Sequence, residues 1–202
     1  VEDVTVAARR AILPPRRWPG KRSASWRAQL LALVLLAPPA ETQAAASDGS
    51  LESVVKAAYL YKFAPFVEWP PTAFASASSP FNICVLGADP FGASLEQVLA
   101  GHQVREHSVR IRRLQAADQP DDCQILYAAA SRAQVAAALS RVKGAPVLTV
   151  TEQSLGVSGA MVQFYVKDGH VRFTLDPAAA QAHGMMISAK LLSLAAAIQA
   201  GS

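Results

Sequence analysis

The sequence predicts an α/β fold: a mostly parallel central sheet flanked by helices, with a C-terminal antiparallel hairpin and a terminal helix. Two observations carry this reading. Short apolar runs at residues 81–86, 123–128 and 146–150 alternate with helical patterns, the rhythm of a parallel sheet. Residues 161–166 and 170–175 then flank Asp168-Gly169, the strongest short-range hairpin signal.

Residues 51–69 read as the opening helix. Leu51, Val54, Val55, Ala58, Tyr59, Phe63, Phe66 and Val67 recur at three- and four-residue steps on one face. Pro65 lacks an amide donor and predicts a kink or an early end, and Trp69-Pro70-Pro71 a stop. The aromatic load exceeds what one buried stripe needs. Packing on the sheet is its common explanation, and Tyr61, Phe66 and Trp69 are the candidate partner contacts.

Residues 72–79 form a small-residue loop, and the run at 81–86 reads as a strand buried on both faces. Gly87 ends it, and Asp89-Pro90 caps and opens a helix over 91–99. Strand, glycine turn and helix start are also the parts of a small-ligand site in an open sheet. Gly87, Asp89 and Phe91 are therefore the candidate ligand loop. Residues 108–114 alternate, with Val109 and Ile111 opposite Arg110 and Arg112, as in a half-exposed strand near a sheet edge. Arg110 and Arg112 are candidate anion contacts, although most such clusters are solvated surface.

Ser131 caps an alanine-rich helix over 132–142 that Gly144 ends. The final helix starts at Pro177 or Met185 and reaches Ile198. It carries Ile187, Leu191, Leu194, Ala195 and Ile198 on one side, with Gly184 as a point of division.

The charge is unevenly placed. Seven of the 19 Lys/Arg but only three of the 15 Asp/Glu lie in residues 1–44, so the remainder carries 12 of each. The basicity belongs to the leader, which argues against nucleic acid as a partner. That leader has a basic region ending at Lys21-Arg22 and Arg27, an apolar core over 30–37 and small residues at 42–46. It reads as a signal peptide over 1–44, cleaved after Ala44 or Ala46. A flexible lead follows over 45–50, then a single domain over 51–200. The apolar core is too short to span a bilayer in the mature chain, so the expected location is the periplasm. No methionine precedes Met161, and part of the first twenty residues reads as an over-extended gene start.

Export changes what Cys84 and Cys123 mean. In an oxidising compartment two strand cysteines more often pair than stay free; the alternative is two buried thiols. Signatures of catalysis do not emerge. Gly87 and Gly92 lack the Gly-Lys-Ser/Thr ending of a P-loop, and no dinucleotide fingerprint is found. Gly156-Val-Ser-Gly159 leads into a strand rather than a helix, unlike a nucleophile elbow. His102, His107, His170 and His183 have no metal-ligand spacing, and Glu68, Asp89, Glu152 and Asp176 sit at element ends, where capping is the commoner job. The expectation is no enzyme, no metal and no cofactor.

Lys56-Ala-Ala-Tyr-Leu-Tyr-Lys-Phe-Ala64 and Phe66-Val-Glu-Trp-Pro70 resemble the opening helix of the YfiR-like family of exported bacterial proteins. The likeness continues through Phe81-Asn-Ile-Cys-Val-Leu-Gly87, Asp89-Pro-Phe-Gly92, Cys123-Gln-Ile-Leu126, Pro146-Val-Leu-Thr-Val150 and Ile187-Ser-Ala-Lys-Leu-Leu192. It covers about residues 51–197. It implies a periplasmic regulator that inhibits an inner-membrane diguanylate cyclase through its periplasmic sensor region, lowering cyclic-di-GMP and restraining biofilm. Other members are tied to membrane histidine kinases, so a small-ligand-binding module serving such a kinase is the alternative; a homodimer is a further expectation. The family has no established catalytic residues to transfer, and its paired cysteines match Cys84 and Cys123. Pro65 and Ala189 depart from its pattern, and a second cysteine pair found in some members has no counterpart here.

Overall fold

The structure, a computed structural model, describes residues 42–198, with side chains from residue 51 onward. Of the leader expected over residues 1–44, residues 1–41 lie outside the described residues. Helix α1 (Thr42–Phe63) gives way to a single 3-10 turn, Ala64–Phe66, with Pro65 inside it, and then to the short strand β1 (Val67–Glu68). The early end follows from the missing amide of Pro65. At its start α1 runs further back than the periodicity predicts and takes in the residues expected to form a flexible lead. Its inward face also differs from expectation. Ala57, Leu60 and Phe63 are buried, while Leu51 and Val54 are 64% and 37% exposed.

Strand β2 (Phe81–Gly87) leads into α2 (Ala93–Leu99), the two-residue β3 (Gln103–Val104) and β4 (His107–Leu114). After β5 (Ile125–Ala129), α3 (Arg132–Arg141) and β6 (Leu148–Glu152) come the hairpin strands β7 (Val162–Lys167) and β8 (His170–Leu175). Asp168 and Gly169 at the hairpin tip both take positive φ, 52° and 71°, as the tight turn requires. Ser131 caps α3 with a reciprocal pair of hydrogen bonds to Gln134.

The expected terminal helix is a series of short pieces: α4 (Pro177–Ala182), β9 (Met186–Ile187), α5 (Ala189–Leu194) and β10 (Ala197–Ile198). Gly184, at φ 73°, turns the chain out of α4. Val67 then pairs with Ile187, Ser188 N–H donates to Phe66 O at 2.9 Å, and the Ser188 hydroxyl caps α5. Backbone partners on β1 and β8 thus replace helical ones. Leu191 is buried as expected, but Leu194 and Ile198 are exposed.

The main sheet runs β10-β8-β7-β6-β5-β2-β4-β3. Only the β7–β8 and β3–β4 pairs are antiparallel. From β2 the chain moves outward to β4, then crosses back to β5 on the other side of β2. The topological switch therefore lies between β2 and β5, beside the Gly87 loop. Alternate residues feed two cores. Phe81, Ile83, Val85, Ile125 and Tyr127 join α1 and α2, while Cys84, Leu86, Leu126 and Ala128 join α3.

Cys84 and Cys123 form a disulfide, with Cα atoms 5.9 Å apart. They are 39 positions apart in sequence. Closing a loop of that length lowers the entropy of the unfolded chain, a stabilisation of about 4 kcal/mol in the chain-entropy account. A Cys84→Ala/Cys123→Ala double variant is expected to lose most of that amount, read as a lower urea midpoint. Unchanged stability would show the bridge to be energetically idle.

Candidate functional site

The first candidate site is the Gly87 loop at the switch point. Gly87 has φ +87°, and a Cβ there would sit 2.6 Å from Ala129 O. The glycine is required by the close approach of β5. Ala88 N–H donates to the same Ala129 O at 2.8 Å, so backbone joins the two strand ends across the crevice. Asp89 Oδ1 accepts from the Phe91 and Gly92 amides at 2.8 and 3.2 Å, an Asx turn, and Oδ2 accepts from Arg113 Nε at 2.7 Å. Arg113 also bridges to Glu96 and donates to Gly92 O. Its hydrogen bond holds the Glu96 carboxyl below its usual pKa. The Phe91 ring is buried against Tyr127, with centroids 4.8 Å apart. The Asp89 carboxylate and the Ala88, Phe91 and Gly92 amides are thus engaged within the chain.

The two candidate anion contacts differ in their surroundings. Arg112 is paired with Asp122, whereas Arg110 is exposed on β4. The candidate partner contacts are half-buried, and each has its own neighbour. Tyr61 meets the His102 ring at a tilt of 31°, centroids 4.6 Å apart, Phe66 lies 5.5 Å from Lys190 Nζ, and Trp69 meets the Phe81 ring edge-on at 5.0 Å. Among the described residues the exposed large apolar side chains are others: Leu51, Val54, Val166, Met186, Leu194 and Ile198. A groove of about 570 Å³ opens between α1 and the β7–β8 hairpin, lined in part by Leu51, Val55, Tyr59, Val166 and Arg172.

The sequence reading missed a buried polar cluster. Lys56 is buried on the inward face of α1, where its Nζ meets Glu52 at 2.6 Å and Glu152 at 2.8 Å. Tyr127 O–H donates to the same Glu152 Oε1 at 2.6 Å. Glu152 ends β6 and Tyr127 belongs to β5, so the cluster binds α1 to the sheet at the C-terminal ends of its parallel strands. A buried ammonium needs its carboxylates, since an unpaired charge there is costly. Burial above all, and then the Glu152 charge, raises the Tyr127 pKa far above its usual value of 10.0. The available signal was Lys56 itself, one and two turns before the apolar Leu60 and Phe63 on the same helical face. Among the described residues no group of three or more His, Cys, Asp or Glu could hold a metal ion.

Two outcomes follow from the cluster. Lys56→Met leaves Glu152 without its cation and is expected to cost about 2–3 kcal/mol. In a Lys56→Met/Glu152→Gln double variant the loss is expected to fall below the sum of the singles, measured by urea unfolding; strict additivity would mean the pair is not coupled. The raised Tyr127 pKa makes a contribution to stability that is fully present below 10.0 and lost as pH rises beyond it. The fall of the unfolding midpoint in that alkaline range is therefore expected to be shallower in Tyr127→Phe than in the parent chain; parallel slopes would contradict it.

Compared with known families, residues 53–196 match a family described as YfiR/HmsC-like. Comparison with curated proteins finds no match. No helix among the described residues is long and apolar enough to cross a membrane. The match takes in the buried cluster from Lys56 onward, the disulfide, the switch-point loop and the strands of the main sheet as far as β8: the chain belongs to the YfiR/HmsC-like family.

Proposed function

We propose that this chain is a periplasmic regulator that binds the periplasmic sensor region of an inner-membrane diguanylate cyclase and holds the enzyme inactive, lowering cyclic-di-GMP and restraining biofilm formation. The observation that carries the proposal is the family match over residues 53–196. Two features of the molecule support it. A disulfide suits an oxidising compartment, and the groove lined in part by Leu51, Val55, Tyr59 and Val166 suits a protein contact.

The mechanism is stoichiometric. A regulator shifts its partner only by binding one arrangement more tightly than the other. Moving an enzyme from almost wholly active to almost wholly inactive takes about a 10⁴-fold difference in affinity. No residue of the regulator need touch the cyclase chemistry, which lies across the membrane.

Deleting the gene is expected to raise cellular cyclic-di-GMP and biofilm mass, and overexpression to lower both. If neither manipulation moves either quantity, the cyclase reading is wrong.

A further inference from the structure

The main sheet is closed on its β3 side only in part. Strand β3 pairs with β4 through Gln103 and Val104, opposite Ser108 and His107, whereas β4 runs on to Leu114. Among the described residues no strand lies beside β4 beyond that point. Along its other edge β4 pairs with β2 without a break from Val109 to Leu114, so its backbone alternates regularly there. The N–H and C=O of one residue point to one edge of a strand, and those of the next residue to the other. Val109 N–H donates to His102 O at 3.4 Å, on the β3 side. The amides and carbonyls of Ile111 and Arg113 therefore point the same way, beyond the reach of β3. Such a row is a template that a further strand can join.

The two faces of this edge differ. Val109 and Ile111 pack partly buried against the apolar core. Arg110 and Arg112 alternate with them and share the opposite face. Arg110 is exposed, and Arg112 forms with Asp122 an ion pair open to solvent, a kind worth little on its own. Arg113 is held by Asp89, Glu96 and Gly92 O. A second copy of the chain is ill suited to this edge. Antiparallel pairing about a two-fold axis centred on any residue from Arg110 to Arg113 sets arginine directly opposite arginine, which is destabilising. The same charges attract an extended segment of opposite sign.

We infer that β4 is a docking edge for an extended acidic segment of a partner protein, which adds as a further strand beside Ile111 and Arg113. Its carboxylates, at alternate positions, face Arg110 and Arg112, and the apolar side chains between them face Val109 and Ile111. Backbone hydrogen bonds supply the adhesion, and the alternating pattern supplies the selection. The edge is separate from the groove beside α1, and it serves this purpose whether or not the regulated enzyme is a cyclase.

The test adds acetyl-Glu-Val-Glu-Val-Glu-amide to the full chain and follows amide hydrogen exchange residue by residue. Saturable binding is expected with a Kd of about 1 mM or below. Exchange at the Ile111 and Arg113 amides is expected to slow as the edge fills, while the Arg110 and Arg112 amides, which face β2, keep their rates. The permuted peptide acetyl-Glu-Glu-Glu-Val-Val-amide, of the same composition, is expected to bind more weakly. Arg110→Glu is expected to weaken the acidic peptide about fivefold and to improve binding of acetyl-Lys-Val-Lys-Val-Lys-amide. The inference is overturned if the acidic peptide does not saturate, if the permuted or the lysine peptide binds the parent chain equally well, or if Arg110→Glu changes neither affinity. Unchanged exchange at Ile111 and Arg113 in the bound state overturns it as well. So does protection of these two amides in the chain alone that tracks a concentration-dependent dimer, since the edge then belongs to a second copy.

Discussion

The fold depends on β2 being hydrogen-bonded on both edges and buried on both faces. It pairs in parallel with β4 from Phe81 to Leu86 and with β5 from Ile83 to Gly87. Parallel strands cannot be joined by tight turns, so each must be reached by a crossover. The chain leaves β2 through α2 to reach β4, and returns through the loop that precedes Cys123 to reach β5. Alternating side chains of this one strand thereby seed both cores. Small changes of register in β2 would exchange the two sets and expose each to the wrong layer.

Polar links secure the two ends of that seam by different means. At the start of β2, Asn82 N–H donates to Gln124 Oε1 at 2.7 Å, and Gln124 Nε2 donates to Ala73 O at 2.7 Å. With the neighbouring disulfide, these bonds hold the entry of β5 in a single register. At the far end, the cluster around Glu152 sets how α1 lies across β5 and β6. A buried ion pair is a weak source of net stability but a strong discriminator between packings, because any sliding of the helix strands a charge. The two ends thus specify alignment, while the apolar layers supply most of the burial.

Much of this architecture was legible from the chain alone. The strands at 81–86 and 123–128, the capped helix α3 and the hairpin at Asp168-Gly169 follow from local signals: apolar runs, a capping residue, a turn dipeptide. The segment after Leu175 was misread because its helical periodicity is real but overridden. Gly184 stops the helix, and β1 and β8 offer strand partners that no local pattern reveals. The candidate loop was legible as a shape but not as a set of occupied groups. That Asp89 would be claimed by Arg113, and Phe91 by Tyr127, depends on residues brought together only by the sheet. Lys56 was visible as a charge on an apolar face; its partner Glu152 looked like an ordinary strand end.

The β1–β9 pairing has a consequence for the order in which the molecule can be completed. Val67 lies near the start of the domain and Ile187 near its end, yet they face each other across the same two-stranded ribbon. Contacts between such distant positions bear the full entropy of closing the intervening chain, and they form late. During synthesis or passage through a membrane pore, the segment after α1 must wait for the last residues of the domain to emerge. Until then Val67 and Glu68 lack the strand partner that Ile187 and Met186 supply. The domain is closed by its own final stretch, so an interrupted chain lacks the strand that fastens β1.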